Sequence, residues 1–139
     1  MTAANNAIKE KLRQYKTACE RIDDLEQEIE VWMAKATSIT SMISDMPKGS
    51  THSGFDAIVV KYLSICVELD NQIKIAVKIK QEIDEMILTI QDGTTRRIMQ
   101  LRYINQLRWE EICVRTDYEW AQVHRYHSKG LEILNHDTQ

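Results

Sequence analysis

The stretch LRYINQLRWEEICVRTDYEWAQVHRYHSKGLEIL, residues 101–134, decides how the last third of the chain folds. Counted from Trp109, it fits the twenty-residue spacing of a helix-turn-helix, in which the fourth residue is buried and the fifth is small. The ninth position usually needs a positive φ and holds Asp117, which tolerates that conformation better than most residues. The apolar or small positions of the pattern are Ile112, Cys113, Tyr118, Val123 and Tyr126.

Around this motif the sequence predicts three helices, at about Thr95–Asn105, Trp109–Arg115 and Glu119–Leu134. The polar segment Gln91–Thr95 contains Gly93 and breaks the preceding helical pattern, so we expect a flexible linker there. Residues 92–139 are therefore predicted to form a three-helix helix-turn-helix domain.

Upstream, two apolar seams predict two long helices. The first recurs at steps of three and four from Ile8 to Ile39, and the second runs from Phe55 to Ile90. Between them, Thr40–Gly54 contains Pro47 and Gly49, which end a helix, and part of this segment is expected to be mobile. Residues 1–91 are thus predicted to form a long antiparallel helical hairpin, and the fold class to be all-α.

A further apolar stripe lies beside the seam of the second helix. Two explanations fit a stripe of this width: self-association of the chain, giving a homodimer or a larger oligomer, or coverage by the C-terminal domain. The first is preferred, because large exposed apolar stripes mark interfaces. The stripe consists of Ile58, Ile65, Ile79 and Met86.

Charge and composition narrow the possible functions. The net charge is −3 overall, but residues 94–130 carry 7 Lys or Arg against 4 Asp or Glu, a local excess of 3 positive charges. This modest excess coincides with the predicted helix-turn-helix and favours nucleic acid as the partner. No signal-peptide core and no membrane-length apolar run is present, and the three cysteines have no metal-like spacing. We expect a cytoplasmic protein with free thiols.

The sequence offers no active site. Phosphate-binding glycine loops, nucleophile elbows and metal-protease motifs are missing, and the acidic pairs lie on charged helix faces. His124 and His127 are spaced as a metal pair could be, but no third ligand lies in helical register. We therefore expect a binding protein without cofactor or metal, not an enzyme.

Two sets of side chains are candidates for contacting double-stranded DNA. The fifth helix should present base-reading side chains opposite Val123 and Tyr126, because arginine suits guanine and glutamine suits adenine. These candidates are Glu119, Gln122, His124, Arg125 and Ser128. Basic residues elsewhere in the domain are candidates for phosphates, which carry no sequence information. They are Arg96, Arg97, Arg102, Arg108, Arg115 and Lys129.

The same run resembles the promoter-reading C-terminal domain of sigma factors, including its ending Lys129-Gly130-Leu131-Glu132-Ile133-Leu134. Nearly the whole chain is similar to small phage-encoded late-transcription regulators of the RinA/ArpU type. Residues 36–40 (ATSIT), 46–50 (MPKGS) and the LRYIN and WEEI motifs contribute to that similarity. The chain departs from the pattern at Arg108 and Glu119, where Ser or Thr caps are usual, and at Gly130, which replaces an alanine.

The resemblance implies a sequence-specific DNA-binding regulator in a bacterial host cell, of phage or prophage origin and an activator of late genes. Two alternatives stay open. One is a sigma-like adaptor that also contacts host RNA polymerase, and the other is a structural coiled-coil protein that does not bind DNA.

Overall fold

The computed structural model describes residues 3–43 and 52–137, with side chains described for residues 3–39 and 54–137. Over these ranges the chain forms helices and no strand, which confirms the all-α prediction. The helices are α1 Ala3–Ile43, α2 His52–Leu88, α3 Gly93–Tyr103, α4 Trp109–Thr116 and α5 Trp120–Asp137. The predicted break at Thr40–Gly54 is too long, because α1 runs to Ile43 and α2 begins at His52. Its centre, including Pro47, lies outside the described residues.

The chain packs as two units, one comprising residues 18–75 and the other residues 1–17 and 76–139. In the first unit, Ala18 and Leu25 of α1 and Ile65 of α2 are buried. The Arg21 guanidinium forms an ion pair with the Glu68 carboxylate. This ion pair joins the middle of α1 to the middle of α2.

The second unit joins the two ends of the predicted hairpin to the C-terminal helices. Its larger core takes residues from four helices and from the segment between α2 and α3. They are Ile8 and Leu12 of α1, Ile83 and Ile87 of α2, Met99 and Tyr103 of α3, Leu131 and Leu134 of α5, and Ile90 of the connecting segment. The units divide the chain after residues 17 and 75, whereas the sequence predicted a boundary between residues 91 and 92. Part of the predicted hairpin belongs to the same core as the predicted helix-turn-helix.

The segment predicted to be a flexible linker is held on both sides. Ile90 and Thr95 are fully buried. Asp92 caps α3 by accepting hydrogen bonds from the Thr95 backbone and hydroxyl, and the Arg96 guanidinium donates to the Ile90 carbonyl at 3.1 Å. The premise that this segment lacks fixing contacts is therefore wrong, since a cap, a buried threonine and a side-chain bond all hold it.

The stripe assigned to self-association is covered within the chain. Ile65 is only 3% exposed, Ile58 is half-buried, and Ile79 and Met86 pack against the core that contains Leu12 and Ile87. The argument for an interface rested on these side chains being left exposed. Only Ile65 is fully buried, and the assignment of Ile58, Ile65, Ile79 and Met86 to an interface between copies stays a prediction.

Candidate nucleic-acid interface

The turn between α4 and α5 has the geometry that the sequence spacing predicts. Asp117 ends α4 in the left-handed conformation, with φ 58° and ψ 24°. Ile112 and Val123 are fully buried and share a small core with Ile98 and Leu101 of α3. Cys113 packs at the edge of this core, where its small size allows the two helices to approach. In the described residues, α4 and α5 are therefore joined by a short turn and pack together on α3.

The first turns of α4 and α5 are capped by the third residue of each helix. The backbone N–H of Arg108 donates to the Glu111 carboxylate at 2.9 Å. The backbone N–H of Glu119 donates to the Gln122 side-chain oxygen at 3.2 Å. Each bond is half of a capping box, so the missing Ser or Thr caps are partly replaced.

One face of α5 presents polar side chains to solvent. Gln122, Arg125 and Lys129, together with Tyr126, line a shallow depression of about 380 Å³. Arg125, Lys129 and the predicted base readers Glu119 and Ser128 are exposed, and Gln122 is half-buried. The structure thus brings most of the predicted base-reading residues to the accessible surface of one helix.

His124 has a different environment from the other predicted base readers. Its ring lies between the indoles of Trp109 and Trp120, with both centroid distances at 4.5 Å. Its Nε2 atom is buried and has no hydrogen-bond partner among the described residues. Burial, and then the positive charges of Arg102 and Lys9, lower the pKa of this imidazole. These contacts hold the ring among aromatic side chains.

Two of the predicted phosphate-binding arginines meet at one cleft. Arg97 of α3 and Arg115 of α4 line a depression of about 370 Å³ together with Gly93 and Thr94, the first residues of α3. Both arginines are exposed. The Asp92 carboxylate already caps this helix end, so the two guanidinium groups are what favours an anion in the cleft.

The other predicted phosphate-binding residues have partners within the protein. The Arg102 guanidinium donates to the Leu107 carbonyl at 3.0 Å and lies 4.4 Å from the centre of the Trp109 ring. Arg108 pairs with Glu111 at 3.5 Å, and Lys129 approaches the Asp92 carboxylate at 3.8 Å. Arg102 is the most strongly engaged, because it fixes the turn between α3 and α4.

Sequence reasoning did not identify a buried polar pair between α3 and α5. The Tyr103 hydroxyl lies 2.6 Å from Nε2 of His127, and His127 is only 4% exposed. Burial raises the pKa of Tyr103 to about 12. Burial, and then the positive charge of Lys9, lower the pKa of His127 to about 3. The imidazole is thus neutral near pH 7, and its Nε2 atom can accept a hydrogen bond from the Tyr103 hydroxyl.

One signal could have placed His127 in the core. It lies four residues after Val123 and four before Leu131, both of which are buried, and residues at this spacing share a helix face. Its pairing with a tyrosine 24 positions away carries no such local signal.

Two further searches bear on other classes of site. Within the described ranges, no three histidine, cysteine or carboxylate side chains converge as metal ligands would. The described helices include none that is both long and apolar enough to span a membrane.

Comparison with known proteins gives a family assignment. No curated protein and no solved structure shows significant similarity to the chain. A family model described as "Protein of unknown function (DUF1492)" matches residues 36–135, which include all of α2, α3 and α4 and most of α5. Because this match covers well over half of its 139 residues, the chain belongs to the DUF1492 family.

Proposed function

We propose that the protein binds double-stranded DNA sequence-specifically and regulates transcription in the cytoplasm of a bacterial host. The observation that carries this proposal is the packing of α4 and α5 on α3 around the left-handed turn at Asp117, which leaves Arg125 exposed and Gln122 half-buried on one face of α5. A helix of this kind fits the major groove, where glutamine and arginine can each form two hydrogen bonds to a base. Binding without catalysis is the proposed activity.

The Arg97–Arg115 cleft supports the proposal independently of the α5 face. A DNA backbone needs cationic groups beside the reading helix, because phosphate contacts set its register on the duplex. The cleft supplies two guanidinium groups. We assign Gln122 and Arg125, flanked by Glu119 and Ser128, to base edges and Arg97 and Arg115 to phosphates.

The resemblance to sigma-factor and RinA/ArpU-type sequences supports a more specific version of the proposal. In this version the protein is a phage or prophage regulator that activates late genes. The family assignment neither requires nor opposes it. A target site selected from a random pool of duplexes, and its position relative to promoters, would test this version directly.

The binding experiment compares base-reading and phosphate-binding residues in the full-length chain. The full chain is needed because residues 92–139 alone lack Ile8, Leu12, Ile83 and Ile87, which cover the core side of α3 and α5. Arg125→Ala should lower affinity for the selected site by about 1–3 kcal/mol and leave affinity for a scrambled duplex nearly unchanged. Fluorescence anisotropy on both duplexes across a salt series measures this.

Arg97→Ala should behave differently in the same assay. It should weaken binding to both duplexes alike and reduce the salt slope by about one unit, because one phosphate contact releases roughly one counterion. Lys78→Ala, an exposed cation on α2, is the control and should bind as wild type. Equal losses on both duplexes for Arg125→Ala would show that α5 does not read bases. No salt-dependent binding would favour the structural coiled-coil alternative.

A surface on α4 favours a second candidate function, that of a sigma-like adaptor that also contacts host RNA polymerase. Leu107 and Val114 line an open depression of about 440 Å³ whose other sides are Glu110, Glu111 and Arg115. Val114 is 79% exposed and lies beside Leu107 in this depression. An apolar patch beside two carboxylates suits a basic protein surface, such as one on RNA polymerase. Loss of polymerase co-purification in Val114→Asp, with DNA affinity unchanged, would support this contact.

A further inference from the structure

Helix α2 carries an apolar stripe that the chain itself does not cover. Leu63, Val67 and Ile73 are 55%, 63% and 41% exposed, although burial of such apolar side chains stabilises a protein. The stripe differs from the covered face, where Ile65 and Ala76 of the same helix are buried.

The stripe has the repeat of a coiled-coil helix. Leu63 and Ile73 belong to a series of six residues that follow one another at steps of four and three along the continuous helix α2. Such a 3.5-residue repeat keeps one face of a helix directed toward a partner helix. Val60 and Val67 add apolar surface along one side. The repeat consists of Val59, Leu63, Cys66, Asp70, Ile73 and Val77.

We infer that a second copy of this chain packs on the stripe through its own α2, with the two helices antiparallel. The spacing of the stripe is self-complementary in this orientation. When Leu63 lies opposite Ile73 of the second copy, Cys66 falls opposite Asp70 and Val59 opposite Val77. Val67 then lies beside its own counterpart, near the two-fold axis. Every apolar member therefore meets another member of the stripe.

Charge selects the antiparallel orientation. A parallel pair would place Asp70 against Asp70 and leave like charges facing each other at every charged layer. In the antiparallel pair Asp70 lies opposite Cys66 and avoids its counterpart. The repeat also begins with Asp56 and ends with Lys80, which lie opposite each other in the antiparallel pair.

The charge balance also argues against an anionic or cationic partner on this stripe. Its central carboxylate, Asp70, is already neutralised by Lys74, and the surrounding members are apolar. Nucleic acid needs uncompensated cations, whereas a matching apolar helix needs none. A second α2 supplies such a helix with the correct repeat.

Sedimentation equilibrium of the full-length chain tests the dimer. The wild type should be dimeric at micromolar concentration, and Leu63→Glu should weaken association at least tenfold. Ile75→Glu is the matched control, because Ile75 lies two residues from Ile73, is 48% exposed and is outside the repeat. It should stay dimeric, and circular dichroism should show the same helix content for all variants. A monomeric wild type, or equal weakening by Ile75→Glu, would overturn the inference.

A charge-pair variant tests the orientation. Ile73→Lys alone should weaken association as Leu63→Glu does. Leu63→Glu combined with Ile73→Lys should associate more tightly than either single variant, because opposite charges meet across an antiparallel interface. In a parallel dimer the same combination would place glutamate against glutamate and lysine against lysine. A double variant that associates no more tightly than the single ones would overturn the antiparallel arrangement.

Discussion

Replacing Leu12 with alanine should destabilise the C-terminal helices by about 2–5 kcal/mol, although Leu12 lies near the start of the chain. Its side chain is fully buried and belongs to the core that contains Met99 of α3 and Leu131 of α5. The substitution removes apolar contacts and leaves a cavity that this core can fill only in part. Native-state hydrogen exchange should therefore speed up at least about 30-fold in α3 and α5, since each 1.4 kcal/mol is tenfold.

Leu25→Ala provides the control. Leu25 is on the same helix and is equally buried, but it belongs to the unit formed by residues 18–75. Leu25→Ala removes the same atoms as Leu12→Ala, so the loss in free energy of unfolding should be similar. The helices α3 and α5 should nevertheless keep their protection from hydrogen exchange. If Leu12→Ala left exchange in α3 and α5 unchanged, the C-terminal helices would be stable without α1, and the predicted division at residues 91 and 92 would stand.

The helices and the turn were predictable because their signals are local. An apolar residue every three or four positions places one face of a helix inward, and this pattern predicted both long helices and α3 to α5. Asp117 was identified from its place in a twenty-residue spacing, and it has the predicted positive φ. Each of these predictions depends on residues within one or two helical turns.

The residues that pack on each apolar face could not be predicted in the same way. Periodicity shows that Ile79 and Met86 are turned inward, but it does not show what packs on them. The structure covers them with a core that includes Ile8 and Leu12, some 70 residues earlier in the sequence. The exposed stripe of α2 was not separated from the predicted seam, because Val59, Cys66 and Ile73 also fit the spacing of that seam.

Gly130 shows how a departure from a family pattern can have a structural reason. A Cβ atom at this position would lie 2.8 Å from Cγ and Sδ of Met99, closer than such atoms approach one another. Met99 is fully buried against α5, so a methyl group there would displace it. The absence of the usual alanine follows from the size of a residue on another helix, which the local sequence does not reveal.

The acid sensitivity of the fold should depend on His127. In the unfolded chain a histidine has a pKa near 6.5, whereas burial lowers the pKa of His127 to about 3 in the folded protein. Between these values the unfolded state binds a proton that the folded state does not, so stability falls as the pH falls. Each pH unit in this window costs about 1.4 kcal/mol, or about 2.5 kcal/mol between pH 7 and pH 4.5.

His127→Gln isolates this contribution, since glutamine cannot be protonated and can still accept the Tyr103 hydroxyl. Urea unfolding at the two pH values should show a loss of free energy about 2.5 kcal/mol smaller in the variant than in the wild type. Other groups that titrate in this range are present in both chains and cancel in the difference. His136→Gln, at the exposed end of α5, should show the wild-type loss. Equal losses in His127→Gln and the wild type would mean that His127 binds its proton in the folded protein, and the Tyr103–His127 contact would then not be a pair of neutral groups.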